Sequence, residues 1–274
     1  MLSYGHRWGD FGWDSSFTFS ANKNEIVELV KDYVHPETGK TYNVDKLELK
    51  TDEGRGFGKA KFILKEGGTL GDLYTHADLK RDINGNVLID DSGNVTAIDN
   101  AGDIKLGSVL PKANLAWNNS FSYKGINAGF LLTARLGGIV YSATQAYLDL
   151  YGVSETSAAA RDAGGVWING RSRVNPQSFY EVVASQSGLP TYYTYSATNL
   201  RLQEAHIGYT VPRRWLGNVC DINVSLVGRN LWMIYCKAPF DPEAVATTNN
   251  YYQGIDYFMM PSTRNIGFNI KINF

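Results

Sequence analysis

Charge is scarce in this chain and nearly balanced. Of 274 residues, 26 are Lys or Arg and 27 are Asp or Glu, together 19%. No basic stripe is available to displace phosphate counterions, which removes the electrostatic case for nucleic acid. Long apolar runs are missing too. None reaches the roughly 18 residues that a spanning helix needs, and the best stretch, 128–140, is broken by Thr133 and Arg135. A helical membrane protein is thereby excluded. A transmembrane barrel is not, because its signal is period-two alternation, which leaves mean hydropathy low.

Cysteine is limited to Cys220 and Cys236. They flank an expected strand of about a dozen residues, which at roughly 3.3 Å per residue separates them by about 40 Å. A disulfide requires Cα atoms within about 7 Å, so two free thiols are expected. The four histidines, His6, His35, His76 and His206, have no partners at metal-ligand spacing, and no serine sits in a nucleophile elbow. Asp82-x-Asn84-x-Asn86 begins like a calcium loop, but Val87 stands where the turn glycine belongs and Gly93 where a bidentate Glu belongs. Gly54-Arg55-Gly56-Phe57-Gly58-Lys59 is followed by Ala60 where a phosphate loop needs a hydroxyl. No metal, cofactor or enzymatic activity is expected. The opening Met1-Leu2-Ser3-Tyr4-Gly5 lacks a charged n-region followed by an apolar core, so no signal peptide is expected.

The chain is instead rich in aromatics, at 13% with 17 Tyr, and in glycine, at 28 residues, a composition suited to strands and turns. Its last strand, 265–274, puts Ile266, Phe268, Ile270, Ile272 and Phe274 on one face and Asn265, Gly267, Asn269, Lys271 and Asn273 on the other. The same alternation recurs at Phe11–Ala21, Ala113–Tyr123, Ile126–Leu136, 200–211 and 221–232, more weakly at 57–65 and 70–80, and Met1 to Gly5 reads as the tail of a ninth strand. Connections alternate between short and long. The short ones are 6–10, 66–69, 124–125 and 212–220, and the long ones 22–56, 81–112, 137–199 and 233–261. Outer-membrane barrels have short periplasmic turns and long extracellular loops, so the expected fold is all-β, an antiparallel transmembrane β-barrel segment of eight or nine strands.

Within the long connections, Asn84-Gly85 and Ser92-Gly93 predict small hairpins, and the stretch 141–160 could carry a short helix. Tyr192, Tyr193, Tyr195, Tyr251 and Tyr252 fall near expected loop ends, where an interfacial aromatic girdle and ligand stacking are both open readings. Trp167, flanked by Gly164, Gly165 and Gly170, is a candidate contact for a ligand or partner.

Several segments resemble the C-terminal end of the SusC/RagA-type TonB-dependent outer-membrane transporters. They are Leu200-Arg201-Leu202, Gly208-Tyr209-Thr210-Val211-Pro212, Gly228-Arg229-Asn230-Leu231-Trp232, Asp241-Pro242-Glu243 and the closing Gly267 to Phe274. Looser matches are Gly68-Thr69-Leu70-Gly71-Asp72-Leu73-Tyr74 and the run from Gly107 to Gly125. The resemblance implies a 22-stranded barrel with a plug inside, coupling to the TonB-ExbB-ExbD complex through an N-terminal region, a SusD-like surface lipoprotein over the mouth, and import of glycans or peptides across the outer membrane of a Gram-negative bacterium. It further implies that Phe268, Ile270, Ile272 and Phe274 form the signal read by the barrel-assembly machinery. Asn127, Arg135, Asn223, Arg229, Asn269 and Lys271 would line the lumen, while Trp167, Tyr192, Tyr193, Tyr251 and Tyr252 would meet substrate or partner. No plug or TonB box is recognisable, so residues 1–274 are expected to be the C-terminal portion of a larger barrel. Two other readings are a soluble or surface-attached carbohydrate-binding β-sandwich, with the face of Phe130, Leu132, Phe268 and Ile270 buried between sheets, and a stand-alone eight-stranded outer-membrane barrel.

Overall fold

Period-two alternation becomes one long antiparallel sheet. The computed structural model describes residues 1–49, 58–217, 219–246 and 254–273. Seven strands follow one another in chain order: β1 (Leu2–Trp8), β2 (Phe11–Ala21), β3 (Ala113–Tyr123), β4 (Ile126–Leu136), β5 (Asn199–Val211), β6 (Asp221–Cys236) and β7 (Asn265–Asn273). The sheet is open, with β1 and β7 at its edges among the described residues. Phe274, Tyr251, Tyr252 and the Gly54 to Phe57 stretch lie outside the described residues.

Cross-strand register carries the two faces across the sheet. One row runs from Trp13 through Phe121, Ala128, Ile207 and Leu226 to Phe268. The adjacent row runs from Gly12 through Ser122, Asn127, Gly208 and Ser225 to Asn269. The apolar side is open: Phe268 is 77% exposed, Ile207 57% and Leu226 and Ile270 each 54%. Apolar surface this continuous is what a lipid-facing wall presents, and it overturns the sandwich reading, which needed a second sheet over that face. Two pairs of polar side chains meet within this face. The Trp13 indole donates to Asn119 Oδ1 at 3.1 Å and the Trp117 indole to Ser15 Oγ at 3.0 Å, as a medium without water demands.

The connections sort by length to the two ends. Residues 9–10, 124–125 and 212–220 join strands at one end, and 22–112, 137–198 and 237–264 at the other. Lys124 and Gly125 both have positive φ, 47° and 89°, the two-residue hairpin turn whose twist matches that of strands. At this end Trp8, Phe11, Tyr123, Tyr209 and Trp215 form an aromatic belt, with Phe11, Tyr123 and Tyr209 in one register row and Ile126 between the last two.

The three long connections build a separate cap. Strands 60–65 and 72–75, expected in the wall, belong instead to a four-stranded sheet with Lys46–Glu48 and Ile104–Ser108. The wall therefore has seven strands where eight or nine were expected. The reason is visible at Phe62, Ile63 and Leu64, which are all buried: a strand covered on both faces shows a continuous apolar run, not alternation. Four α-helices complete the cap among the described residues: α1 (Ala143–Leu150), α2 (Glu155–Asp162), α3 (Pro176–Val183) and the single turn α4 (Pro190–Tyr193). The first three carry side-chain caps. Ser142, Ser154 and Asn175 cap their N-termini through side-chain oxygens. The two hairpins close as expected, with Gly85 N–H donating to Asp82 O and Gly93 N–H to Asp90 O. Phe62, Leu73, Leu79, Tyr141, Phe179, Val183, Leu189 and Ile255 pack into one core, and every member of that core lies in the cap. No helix among the described residues is long and apolar enough to cross a membrane, and both cysteines are free thiols.

One register shift changes which residues face inward. Along β5, Tyr209, Ile207 and Ala205 lie on the apolar side, yet Leu202 and Leu200 lie there too, because Gln203 has no partner in the β4–β5 register. This bulge flips the parity of the strand. Arg201 thereby comes to the polar face opposite Thr133, instead of pointing into lipid.

Candidate functional site

The polar face of the wall and the underside of the cap meet at a seam. The sequence-predicted wall residues share the polar face, but their partners differ. Asn127 and Asn269 stand in one register row, and Asn223 pairs with Lys271. Gly208 leaves room for the Asn127 amide, since a Cβ there would lie 2.7 Å from Asn127 Oδ1. Asn223 Nδ2 donates to Thr210 Oγ1 at 2.8 Å, and Arg229 pairs with Glu204 at 3.0 Å on the neighbouring strand. Arg135 is on this face, but it is held by the cap, donating to the Val109 carbonyl at 2.8 Å. The face is thus rich in hydroxyls and amides, and the charge of Arg229 is already matched.

At the top of β2 and β3 the seam opens into two adjoining cavities of about 400 and 410 Å³. The first is lined by Ser20, Asn22, Asn24 and Asn114 together with Leu70, Leu110 and Pro111, and holds no charged side chain. The second shares Asn22, Asn24, Leu110 and Pro111 and adds Lys23 and Lys112 at its edge. One wall of the seam is the turn from Gly68 to Asp72. Asp72, 1% exposed, accepts from Thr69 Oγ1 at 2.7 Å and from Lys105. Gly71 lies so close to Leu110 that a Cβ would sit 2.7 Å from its Cγ. Sequence reasoning missed these cavity residues, because the amides belong to two segments about 90 residues apart, Asn22 with Asn24 and Asn114, and only folding gathers them.

The cap aromatics divide. Trp167 stands 54% exposed on a hairpin formed by Val166–Ile168 and Ser172–Val174, with the Arg173 guanidinium 4.4 Å from its ring centroid. Tyr192 packs against the core with its ring 6.1 Å from that of Phe179. Tyr193 corrects the sequence reading: it is 2% exposed and donates its hydroxyl to Asp149 Oδ2 at 3.0 Å, so it has no surface left to contact a ligand. Burial and the Asp149 carboxylate push that hydroxyl far above its ordinary range. Asp149, itself buried, also accepts from Gln145 Nε2 at 3.0 Å and from Ser154. Nor do Tyr192, Tyr193 and Tyr195 form the girdle, which is built at the opposite end by Trp8, Phe11, Tyr123, Tyr209 and Trp215. On β7, Phe268, Ile270 and Ile272 stand exposed on the apolar face.

No family model matches the chain. Curated relatives come from Formosa agariphila. TonB-dependent receptor P3 is 25% identical over 289 residues, covering 96% of this chain and 27% of its own length. TonB-dependent receptor P26 is 25% identical over 293 residues, covering 98% of this chain and 28% of its own. TonB-dependent receptor P39 is 23% identical over 298 residues, with 96% and 28% covered. The chain therefore spans between a quarter and a third of the length of the curated relatives it matches. Solved structures of the RagAB peptide importer in its closed-closed state and of the RagAB peptide transporter superpose with a TM-score of 0.62 at 16% identity. Each match covers 99% of this chain and 28% of the other, and carries the fold. In sequence along its length and in fold, the chain resembles the barrel portion of a TonB-dependent outer-membrane transporter of the SusC/RagA type.

Proposed function

We propose that residues 1–274 are the C-terminal part of the barrel of an outer-membrane transporter that imports oligosaccharides or peptides, energised through TonB. The observation that carries this reading is the division of the wall into an apolar and a polar face, with every long connection gathered at one end into a cap. The relatives' name and the fold shared with a peptide importer support it. In this reading the seven strands pair at both edges with the rest of the barrel. The apolar face meets outer-membrane lipid, the polar face wets the channel, and the seam cavities with Trp167 meet the solute first. The chain's own residues perform no covalent step. They orient and release a solute, and the work comes from a plug and a TonB-ExbB-ExbD contact supplied outside these residues. A SusD-like lipoprotein would close the mouth over the cap.

The test is uptake. Cells lacking the protein should lose energised uptake of fluorescently labelled oligosaccharides or oligopeptides that complemented cells retain, and a protonophore should remove the difference. Equal uptake by both strains across both solute classes would sink the proposal. The seam sharpens it: Asn114→Leu should weaken solute binding several-fold without altering insertion of the barrel, as judged by heat-modifiable mobility on a gel.

A further inference from the structure

Three sequence segments far apart in the chain converge on one buried guanidinium. Arg201, 4% exposed, meets Asp241 through two parallel bonds of 2.7 and 3.2 Å, and Glu243 at 3.2 Å. Glu243 is braced in turn by Asn199 Nδ2 at 3.2 Å, and its own N–H donates to Asp241 Oδ1 at 3.0 Å. Asn230 approaches Arg201 at 3.5 Å and donates its amide to the Thr263 carbonyl at 3.2 Å. Asn230 has a φ of 52°, on the β6 side of an irregularity in the β5–β6 register. Asp241 and Thr263 are the two feet of the connection 237–264. One arginine and one asparagine of the wall thus grip both ends of that connection, and the bulge at Gln203 is what aims the arginine there.

Between its feet the connection threads into the cap. Ile255 and Asp256 pair alongside Tyr141 and Ser142, and Asp256 accepts from the buried Ser142 hydroxyl at 2.6 Å. Gly254 passes so near Val109 that a Cβ would lie 2.7 Å from its side chain. A planar guanidinium bound bidentately has little freedom of orientation, and a buried ion pair of this kind fixes arrangement more reliably than it adds stability.

We infer that Arg201, Asn230, Asp241 and Glu243 form a clasp that fixes the two described arms of the connection after β6, residues 237–246 and 254–264, and with them the cap, to the wall as an immobile rim. Arg201 is its positioning residue. The inference rests on the reading of the chain as transporter barrel, and it assigns the moving parts of the import cycle to elements outside this cap.

The protein carries its own reporters. Cys236 ends β6 beside the clasp, its thiol directed at the carbonyls of Ala238 and Phe240 at 3.4 and 3.6 Å. Cys220 lies in the connection 212–220, at the far end of the wall. The experiment measures the labelling rate of Cys236 by a membrane-impermeant maleimide on intact cells carrying the full-length protein, scored by mass spectrometry. Both thiols are then labelled on the detergent-purified protein. Arg201→Met should accelerate Cys236 at least tenfold while leaving Cys220 within twofold, Arg201→Lys should accelerate it less, and Arg201→Asp with Asp241→Arg should return it toward the parent rate. In the parent, collapsing the proton-motive force should leave the Cys236 rate unchanged. An unaltered Cys236 rate in Arg201→Met, or an equal rise at Cys220, would overturn the clasp. Faster labelling of Cys236 in energised than in de-energised cells would overturn the immobile rim. The detergent rates judge the clasp by themselves, so its failure is separable from a failure of the uptake reading.

Discussion

The wall and the cap are held together by opposite means. The wall has long strands, a full ladder and almost no interior: β1 and β7 are exposed at every described position. The cap has short strands and helices of at most eight residues, yet it owns the entire packed core. Hydrophobic burial in the cap is burial against its own side chains. In the wall the corresponding surface must be satisfied by lipid and by neighbouring strands, which makes its stability a property of the surroundings. A change that wrecks one region should therefore leave the other standing, and the following tests separate them.

Phe62→Ala should have the largest effect, about 3–5 kcal/mol for an emptied aromatic site in a packed core. It should appear as protease cleavage within 137–198 and 237–264, with heat-modifiable mobility of the wall retained. The reciprocal variant is Leu226→Arg on the lipid face. It should cost the wall about 2–4 kcal/mol near the bilayer midplane, reducing insertion while leaving the cap's protease pattern in folded molecules as it was. If Leu226→Arg loosens the cap as much as Phe62→Ala does, the two regions are one cooperative unit.

A smaller test stays within the cap. Tyr193→Phe removes one of three donors to the buried Asp149 and should cost about 1 kcal/mol, read as a lower denaturant midpoint for protection of the 137–198 stretch. The smallest effect is acid sensitivity at the clasp. Burial acts to raise the Asp241 carboxyl, but hydrogen bonds from Arg201, from Ser262 and from the Glu243 N–H outweigh it and hold the group below its ordinary range. A folded pKa below the unfolded one contributes stability that is fully present above about pH 4 and lost as pH falls through the lower folded value. Protease protection of 237–264 should therefore fade only below pH 4 in the parent. Asp241→Asn should lack that acid step.

The sequence made the wall readable and the cap nearly opaque, and the reason is physical. A wall strand repeats one instruction, alternate residues to lipid and to water, over ten residues or more, so Phe11–Ala21, Ala113–Tyr123 and Ile126–Leu136 could be bounded to the residue. Cap strands such as 60–65 are covered on both faces and carry no period, and the burial of Tyr193 depends on Asp149, more than 40 residues away. The same distance hid the clasp, since nothing local to Asp241-Pro242-Glu243 announces Arg201. The bulge was legible in principle. The spacing of Leu200 and Leu202 against Ala205, Ile207 and Tyr209 slips phase by one residue, and that slip is the signature of Gln203. The cavity was unreadable for a related reason: Ser20 and Asn114 are register partners in the wall, but Asn24 joins them only where the cap folds back, accepting from the Leu70 N–H at 3.2 Å.

The three short connections at the belted end also set an order of events. β1 with β2, β3 with β4, and β5 with β6 are hairpins whose strands find each other across 2 to 9 intervening residues. The hairpins themselves can meet only by closing the 22–112 and 137–198 connections. Closure entropy grows slowly with length, about 0.6 kcal/mol per doubling, but it must be met before any distant contact rewards it. The local folding unit of the wall is therefore the hairpin, two strands at a time, with β7 left to join across the long connection after β6. The cap, whose core draws on all three long connections, is the last thing this chain completes.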